Sequence, residues 1–598
     1  MLWAAFDFPR HPLAREDGER LRGAFFAPPA RWLLAHAASE LAGVIDAAQQ
    51  AACAGAWVLG GLRYEAASAL DPALSHHRSE PPLAEFAVFD EAPAAWPAWT
   101  ESGRLNGDWR DLQDEVAEAA QIERVREWIR AGDCYQVNLT TRLEAPLEVP
   151  DLAELFLALH RAQPGGFSLF LRRDAQQALA SVSPELFFDW RPLPEVPEAA
   201  HTWLLAAQPM KGTAARGADK AADEAAQAHL RTSEKERAEN LMIVDLLRND
   251  IGRVAELGSV RVPRLFELHA LPTVWQMTST VTAVSRPGLR LSELFAALFP
   301  CGSVTGAPKV RAMQIIGELE PAPRGWYCGA LGLLQPGGAA TFNVPIRTVE
   351  QRQGQVLRCG IGSAITLDSE PAAEVAEWRA KTRFLLRAQA PIAALETLRL
   401  QDGSYLRLAG HLARLQRTAR HFFGHPLALA AVREALAALA AAHPAGGWRV
   451  RLTVGAHGEP QAQIQPLPET PARVRLALAA TPIDAAGPAA EFLQHKTTRR
   501  EVYQPFVDAR PAAAFDVLLW NRAGELTECS FGNIALRIDG RWLTPRREAG
   551  LLPGVLREEL LQQGRLQEAR LTKDDLARAE GLAFLNSLRG WVEAELLP

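Results

Sequence analysis

Apolar positions recur at three- or four-residue steps through KERAENLMIVDLLRNDIGR (235–253). Leu241, Val244, Leu247 and Ile251 predict one long helix with a buried face. Glu236 and Glu239, three apart, share a face of its first turns. Asn249-Asp250 and then Gly252 predict its end. A second helix is predicted from Ser369-Glu370-Pro371, with Ser369 at the N-cap and the same three-residue carboxylate spacing in Glu374 and Glu377. Residues 114–131 predict an amphipathic helix, and Cys134–Arg142 an alternating strand. Residues 1 to about 110 mix short apolar runs with Pro and Gly and read as strands and loops of a sheet-rich region. The Pro- and Glu-rich 191–203 reads as a surface excursion. After a short linker at 388–394, Leu395–Leu400 starts a strand and His411–Leu415 begins a helix. Residues 426–443 form an alanine-rich helix, and Leu551–Arg557 turns into another.

Length and charge narrow the class. A chain of 598 residues is too long for one core, and two to four domains are expected. Hydrophobic residues at 48% and charged residues at 22% are ordinary for a globular enzyme. A net charge of -6 gives no nucleic-acid footprint. The six cysteines are scattered with no C-x-x-C pair, which supports neither a zinc site nor a disulfide framework and fits a reducing cytoplasm. The opening MLWAAFDFPRHP lacks the pattern of a signal peptide. No uncharged apolar run is long enough to span a membrane.

Several stretches carry candidate chemistry. Two carboxylate pairs, each on its own helix, could face each other across one site for a hard cation such as Mg²⁺, although KERAE alone reads first as a solvated charged face. In Gln208-Pro-Met-Lys211-Gly-Thr213 a lysine beside apolar strands would be desolvated, its pKa lowered and its amine made nucleophilic; a surface lysine in a turn is the plainer alternative. Leu298–Lys309 is a Gly/Ser/Thr loop entering a helix, able to hold an anion on its amides or to be only a turn. Phe342–Thr348 reads as a strand ending in the cation Arg347, and Gly360-Ile361-Gly362 as a Gly-rich strand or turn. No Walker-type phosphate loop is present.

In this order, from about Arg130 to Ala388, these pieces resemble the chorismate-utilising enzymes, which make anthranilate, salicylate, isochorismate and aminodeoxychorismate. The resemblance implies Mg²⁺ on Glu239 and Glu377, with Glu236 and Glu374 behind them, gripping a carboxylate of chorismate. It implies that Thr305, Arg347, Gly362 and Lys381 hold the substrate, Arg347 through paired hydrogen bonds. Pro-x-Lys-Gly-Thr is similar to the aminodeoxychorismate-forming branch. There Lys211 attacks the ring with loss of the 4-hydroxyl, Glu185 of Ser-Pro-Glu acts as general acid, and ammonia displaces the lysine. Gln276 stands where many relatives carry a histidine linked to pyruvate loss, so this half is expected to stop before that step. The spacing from Glu185 to Lys211 is stretched by the Pro/Glu-rich segment. No cysteine sits in a Gly-x-Cys-x-Gly elbow, so ammonia would come from solution or from a separate glutamine amidotransferase chain.

Residues 395–598 resemble fold-type IV pyridoxal-phosphate enzymes. That resemblance implies Lys496 as the internal Schiff-base lysine, Glu528 on the pyridinium nitrogen, and Arg414, the Val555-Leu556 backbone and Asn586-Ser587 around the phosphate. The opening strand and Gly-Asp-Gly turn usual before Glu-Thr are missing. Either that strand is dispensable or part of the substrate wall comes from the first half. The expected fold class is α+β: a chorismate-utilising fold of two layered antiparallel sheets flanked by helices over residues 1–390, then a fold-type IV α/β domain over 391–598. The two resemblances imply a bifunctional cytoplasmic enzyme, a transferase and a lyase, converting chorismate through 4-amino-4-deoxychorismate to 4-aminobenzoate for folate synthesis. The alternative is an anthranilate or salicylate synthase joined to a fold-type IV aminotransferase. Neither nucleic acid nor membrane is an expected partner, and a homodimer through the pyridoxal-phosphate domain is compatible with the second resemblance.

Overall fold

The computed structural model describes residues 1–11, 19–74, 77, 81–97, 109–147, 151–193, 202–215, 220–270, 274–352 and 356–597. Much of the Pro/Glu-rich segment expected at the surface, 194–201, lies outside them. The chain divides into two units, Met1–Ala390 and Pro391–Pro598.

In the first unit two large antiparallel sheets, of nine and ten strands among the described residues, lie back to back. Phe6, Phe8 and Leu169 from one sheet and Leu59, Leu331 and Leu333 from the other form the core between them. Helices cover both outer faces. Ala38–Cys53, Glu234–Gly252 and Leu291–Leu298 pack on one sheet. Glu115–Arg130, Leu152–Ala162, Lys309–Leu319 and Pro371–Lys381 pack on the other. This is the expected layering, with each element burying one apolar face.

The region before residue 110 also holds a 16-residue helix, Ala38–Cys53, which the reading as strands and loops missed. Its core face is mostly alanine, with only Leu41 and Ile45 as large apolar residues, so the helical period is faint in the sequence. Residues 136–141 are all buried, not alternately, because their strand is covered on both faces. The helix predicted at 235–253 runs Glu234–Gly252. Val244, Leu247 and Ile251 face the core as expected, whereas Leu241 is 44% exposed. Ile243, one residue off the predicted stripe, is buried instead.

The two sheets are joined by crossings of the chain. Ser183-Pro184-Glu185 links strands Ala178–Ser183 and Leu186–Pro192 of opposite sheets, and Val344–Arg347 links Ala340–Asn343 to Thr348–Arg352. Arg347 therefore does not end a strand; it sits between two, at φ 50°. The crossings are stitched together: the Val344 amide donates to the Glu185 carbonyl (3.1 Å), the Val182 amide to the Arg347 carbonyl (3.1 Å), and the Ser183 hydroxyl to the Val344 carbonyl (2.5 Å).

The second unit has a four-stranded antiparallel sheet and an eight-stranded mixed sheet. Leu408–Phe423 and Leu429–Ala442 lie against the small sheet, burying Leu412, Leu415 and Leu436. Parallel pairing enters the large sheet where Arg473–Leu478 lies between Asp516–Trp520 and Gly590–Leu596.

Candidate active sites

In the first unit the strand Met210–Ala215 pairs with Val274–Val284, but its register shifts between Met210 and Thr213. Such a bulge re-aims the side chain it contains, here Lys211. Gly212 adopts φ 96°; a Cβ there would come within 3.1 Å of the Met277 Cβ and 3.3 Å of a Glu236 carboxylate oxygen. Gln276 clasps the bulge by donating to the Gly212 carbonyl (2.9 Å) and accepting from the Thr213 hydroxyl (2.9 Å). Asn240, one residue past Glu239, donates to the Lys211 carbonyl (3.2 Å) and accepts from Ser279 (2.6 Å). The carboxylate helix and the lysine strand are thus tied side by side.

Burial lowers the pKa of Lys211, against the pull of Glu185, Glu239 and Glu377. Burial raises that of Glu185, opposed by a hydrogen bond from Ser303, the Lys211 charge and the Met210 amide. Glu185 is 4% exposed, and its Oε1 is buried without a hydrogen-bond partner. Desolvation disfavours the charge of each group, and the opposite charge of the other favours it.

The four helix carboxylates share one electrostatic neighbourhood. Burial first, and then the charge of Glu377, raises Glu236; burial first, with Glu236 and Glu374 adding, raises Glu239. Two of the four are held by neighbours of their own. Glu374 accepts from Ser369 (2.7 Å) with one oxygen and from Ser363 (2.5 Å) with the other. Glu377 is paired with Lys381 (2.8 Å). Among the described residues no three acidic, histidine or cysteine groups stand close enough to hold a metal ion together. The donor chemistry, four carboxylates on two helices, suits a hard divalent cation. Ser369 does not cap its helix; Glu370 holds the N-cap position, and the Ser369 hydroxyl is spent on Glu374.

The remaining expected substrate residues differ in availability. The Thr305 hydroxyl, fully buried, donates to the carbonyls of Cys301 (3.2 Å) and Gly302 (3.3 Å). Lys381 donates to the Gly362 carbonyl (2.8 Å). A Cβ on Gly362 would come within 2.3 Å of the Leu139 carbonyl oxygen, so only glycine fits. Arg347 is held at a pKa of about 10 by burial and the neighbouring Arg387, with no salt bridge among the described residues. A half-buried guanidinium without a carboxylate is suited to an anionic guest.

In the second unit Lys496 follows the short helix Glu491–Gln494, and its carbonyl accepts from the Leu395 amide (3.0 Å). Burial, then Arg414 and Arg500, push its pKa down to about 7. Burial pushes Glu528 up to about 7. Glu528 accepts from the Tyr503 hydroxyl (2.7 Å), the Leu552 amide (3.1 Å) and Asn533 (3.4 Å). Val555 and Leu556 open the Val555–Gln562 helix behind Gly554, where first-turn amides lack helical acceptors. A Cβ on Gly554 would come within 2.0 Å of the Asn533 Oδ1, so this approach also demands glycine.

Arg414 is more committed than expected. Its Nε and one terminal nitrogen grip both oxygens of Glu396 (2.8 and 2.7 Å), and the other terminal nitrogen reaches the Pro553 carbonyl (3.3 Å). Arg414 and His411 hold the buried Glu396 down at about 2. His411 bridges Glu396 (2.7 Å) and Ser587 (2.8 Å). Asn586 accepts from the Arg589 amide (2.7 Å) and donates to the Phe531 carbonyl (3.3 Å), closing its turn. Sequence reasoning passed over Glu396, Arg500, Tyr503, Asn533 and, in the first unit, Ser303, Asn240 and Ser363. The three-residue step from His411 to Arg414 was the one visible signal, since it puts both on one helix face.

Residues 16–387 match the family model described as chorismate binding enzyme. The chain belongs to that family. Residues 393–596 match the amino-transferase class IV model. Aminodeoxychorismate synthase component 1 of Klebsiella aerogenes is 41% identical over 321 residues, 52% of this chain and 67% of that protein. Its Escherichia coli K12 counterpart is 41% identical over 298 residues, 48% of this chain and 63% of that protein. The chain spans 60 to 67% of the length of three such relatives. The structure of the menaquinone-specific isochorismate synthase of Escherichia coli shares the fold, with a TM-score of 0.50 at 16% identity over 65% of this chain and 89% of that one. Among the described residues no helix is long and apolar enough to cross a membrane.

Proposed function

We propose that the first unit converts chorismate to 4-amino-4-deoxychorismate and that the second eliminates pyruvate from it to give 4-aminobenzoate. The observation that carries this reading is the half-buried Lys211, whose charge acts on the buried Glu185, on a strand tied to the carboxylate helix. Glu236, Glu239, Glu374 and Glu377 would hold Mg²⁺, which supplies positive charge to a substrate carboxylate. Arg347 grips another carboxylate in parallel hydrogen bonds. The neutral amine of Lys211 forms a bond to the ring while the 4-hydroxyl leaves as water, taking its proton from Glu185. Ammonia then bonds at C4 and returns the amine of Lys211. Gln276 has no titratable proton and is fixed at both ends of its amide, which fits a reaction that stops at this point. Ammonia is supplied by a separate amidotransferase chain.

In the second unit the residues fit pyridoxal phosphate in kind: a desolvated lysine, a buried carboxyl for the pyridine nitrogen, and a glycine-led helix start for the phosphate. When bound, that cofactor supplies an electron sink. Lys496 carries the proton away from C4 of the ring. Glu528, oriented by Tyr503, Leu552 and Asn533, holds the pyridine nitrogen. Arg414 offers one terminal nitrogen toward the phosphate end while Glu396 fixes the rest of its fork. The test is to incubate the pure protein, loaded with cofactor, with chorismate, Mg²⁺ and ammonium. 4-Aminobenzoate and pyruvate are expected; 2-aminobenzoate or 2-hydroxybenzoate as the aromatic product would overturn the reading.

A further inference from the structure

One end of the space between the two sheets of the first unit opens into a cavity of about 390 Å³, built from residues with no part in either site above. Arg63, at the end of strand Trp57–Leu62, lines it together with Arg173, Arg352 and Arg358. Among the described residues they share three carboxylates. Glu85 takes both Arg63 (2.7 Å) and Arg173 (3.4 Å), Glu350 takes Arg352 (2.9 Å), and Glu144 takes Arg358 (2.8 Å). Arg142 stands close enough that burial and then the charges of Arg358 and Arg352 lower its pKa. Among the described residues, four arginines and two glutamates, Glu85 and Glu350, line the cavity.

Arg63 is the fixed point. It is 7% exposed, its guanidinium lies 5.7 Å from the centre of the Trp326 ring, and its Nε is buried without a hydrogen-bond partner. A buried charged donor left unmatched costs free energy until something accepts from it. Trp32 and Trp326 give the same cavity flat apolar wall. We propose that this cavity binds a small organic anion, one carboxylate or phosphate group on a compact body, with that group against Arg63, Arg173 and Arg352. The shared chemistry is a planar or tetrahedral oxyanion met by guanidinium forks. The site is separate from the catalytic ones, though strands Thr348–Arg352 and Val356–Ile365, which carry Arg352 and Arg358 into it, also lead to Arg347 and Gly362.

The test is calorimetric titration of the full chain, loaded with pyridoxal phosphate, with inorganic phosphate in one arm and benzoate in the other. Binding of at least one probe is expected, weakened tenfold or more by the double substitution Arg173→Ala/Arg352→Ala, which changes two partly exposed side chains, and unchanged by Arg347→Met. Which arm binds tells phosphate from carboxylate. A second readout needs no variant: the binding probe should slow hydrogen exchange of the Glu350–Arg352 amides in the unsubstituted protein. No binding of either probe, less than tenfold weakening, loss of binding in Arg347→Met, or unchanged exchange would each overturn the proposal.

Discussion

Lys496 and Glu528 are both held near pH 7 by burial, from opposite directions. A lysine lowered from its ordinary value of 10.5 to about 7 binds fewer protons folded than unfolded between those values, so the cofactor-free protein gains stability as pH rises across that window. A glutamate raised from 4.5 to about 7 binds more protons folded, so stability present below 4.5 is lost as pH rises toward 7. Together they predict a shallow stability minimum near pH 7 for the cofactor-free protein. Thermal midpoints between pH 4 and 10 measure it, and in Lys496→Met the rise above pH 7 should vanish. The same lowered pKa predicts that the protein captures pyridoxal phosphate with a rate that climbs to a plateau with a midpoint near 7. In the first unit, Glu185→Gln should slow ammonia-dependent turnover by about 100- to 10,000-fold, the span general acids supply. Lys211→Ala should fall to background, followed by mass spectrometry of the product; full-rate synthesis in that variant would remove the lysine from the mechanism.

At the scale of elements, the bulge carrying Lys211 shows how much depends on one backbone position. Gly212→Ala would force a Cβ into φ 96° against Met277 and Glu236. The expected cost is about 1–3 kcal/mol, with loss of turnover exceeding loss of fold because the lysine is re-aimed. Denaturant midpoints and ammonia-dependent rates on one preparation separate the two effects. The same bulge marks where the sequence is legible. Lys211 and the glutamate pairs stand in short runs whose spacing fixes a face or a turn, whereas Glu185 was singled out only by the family resemblance. Arg347 was misread as a strand end because Val344–Arg347 crosses between sheets, and nothing local distinguishes a crossing from a continuing strand. Helix Ala38–Cys53 was missed because alanine packs well yet contributes little periodic contrast. Glu396 was invisible for a different reason: its partners Arg414 and His411 are 18 and 15 residues away, and only the packing of helix on strand brings them together.

At the scale of the whole molecule, each unit closes its own hydrophobic cores, and the two family matches, 16–387 and 393–596, do not overlap. Two reactions carried on separate cores should fail separately. Removing divalent cations with a chelator should stop chorismate consumption, because clustered carboxylates left unneutralised repel the substrate's own. Supplied 4-amino-4-deoxychorismate should still yield 4-aminobenzoate at an unchanged rate under that treatment, since Lys496 and Glu528 use no metal in the proposed chemistry. Borohydride reduction of the cofactor-loaded protein should do the reverse: chorismate continues to be consumed with ammonium, and 4-amino-4-deoxychorismate accumulates without pyruvate. The measurement is a product time course under each treatment. If the chelator halts both conversions, or borohydride halts chorismate consumption, the two sites are not independent and the assignment of one step to each unit fails.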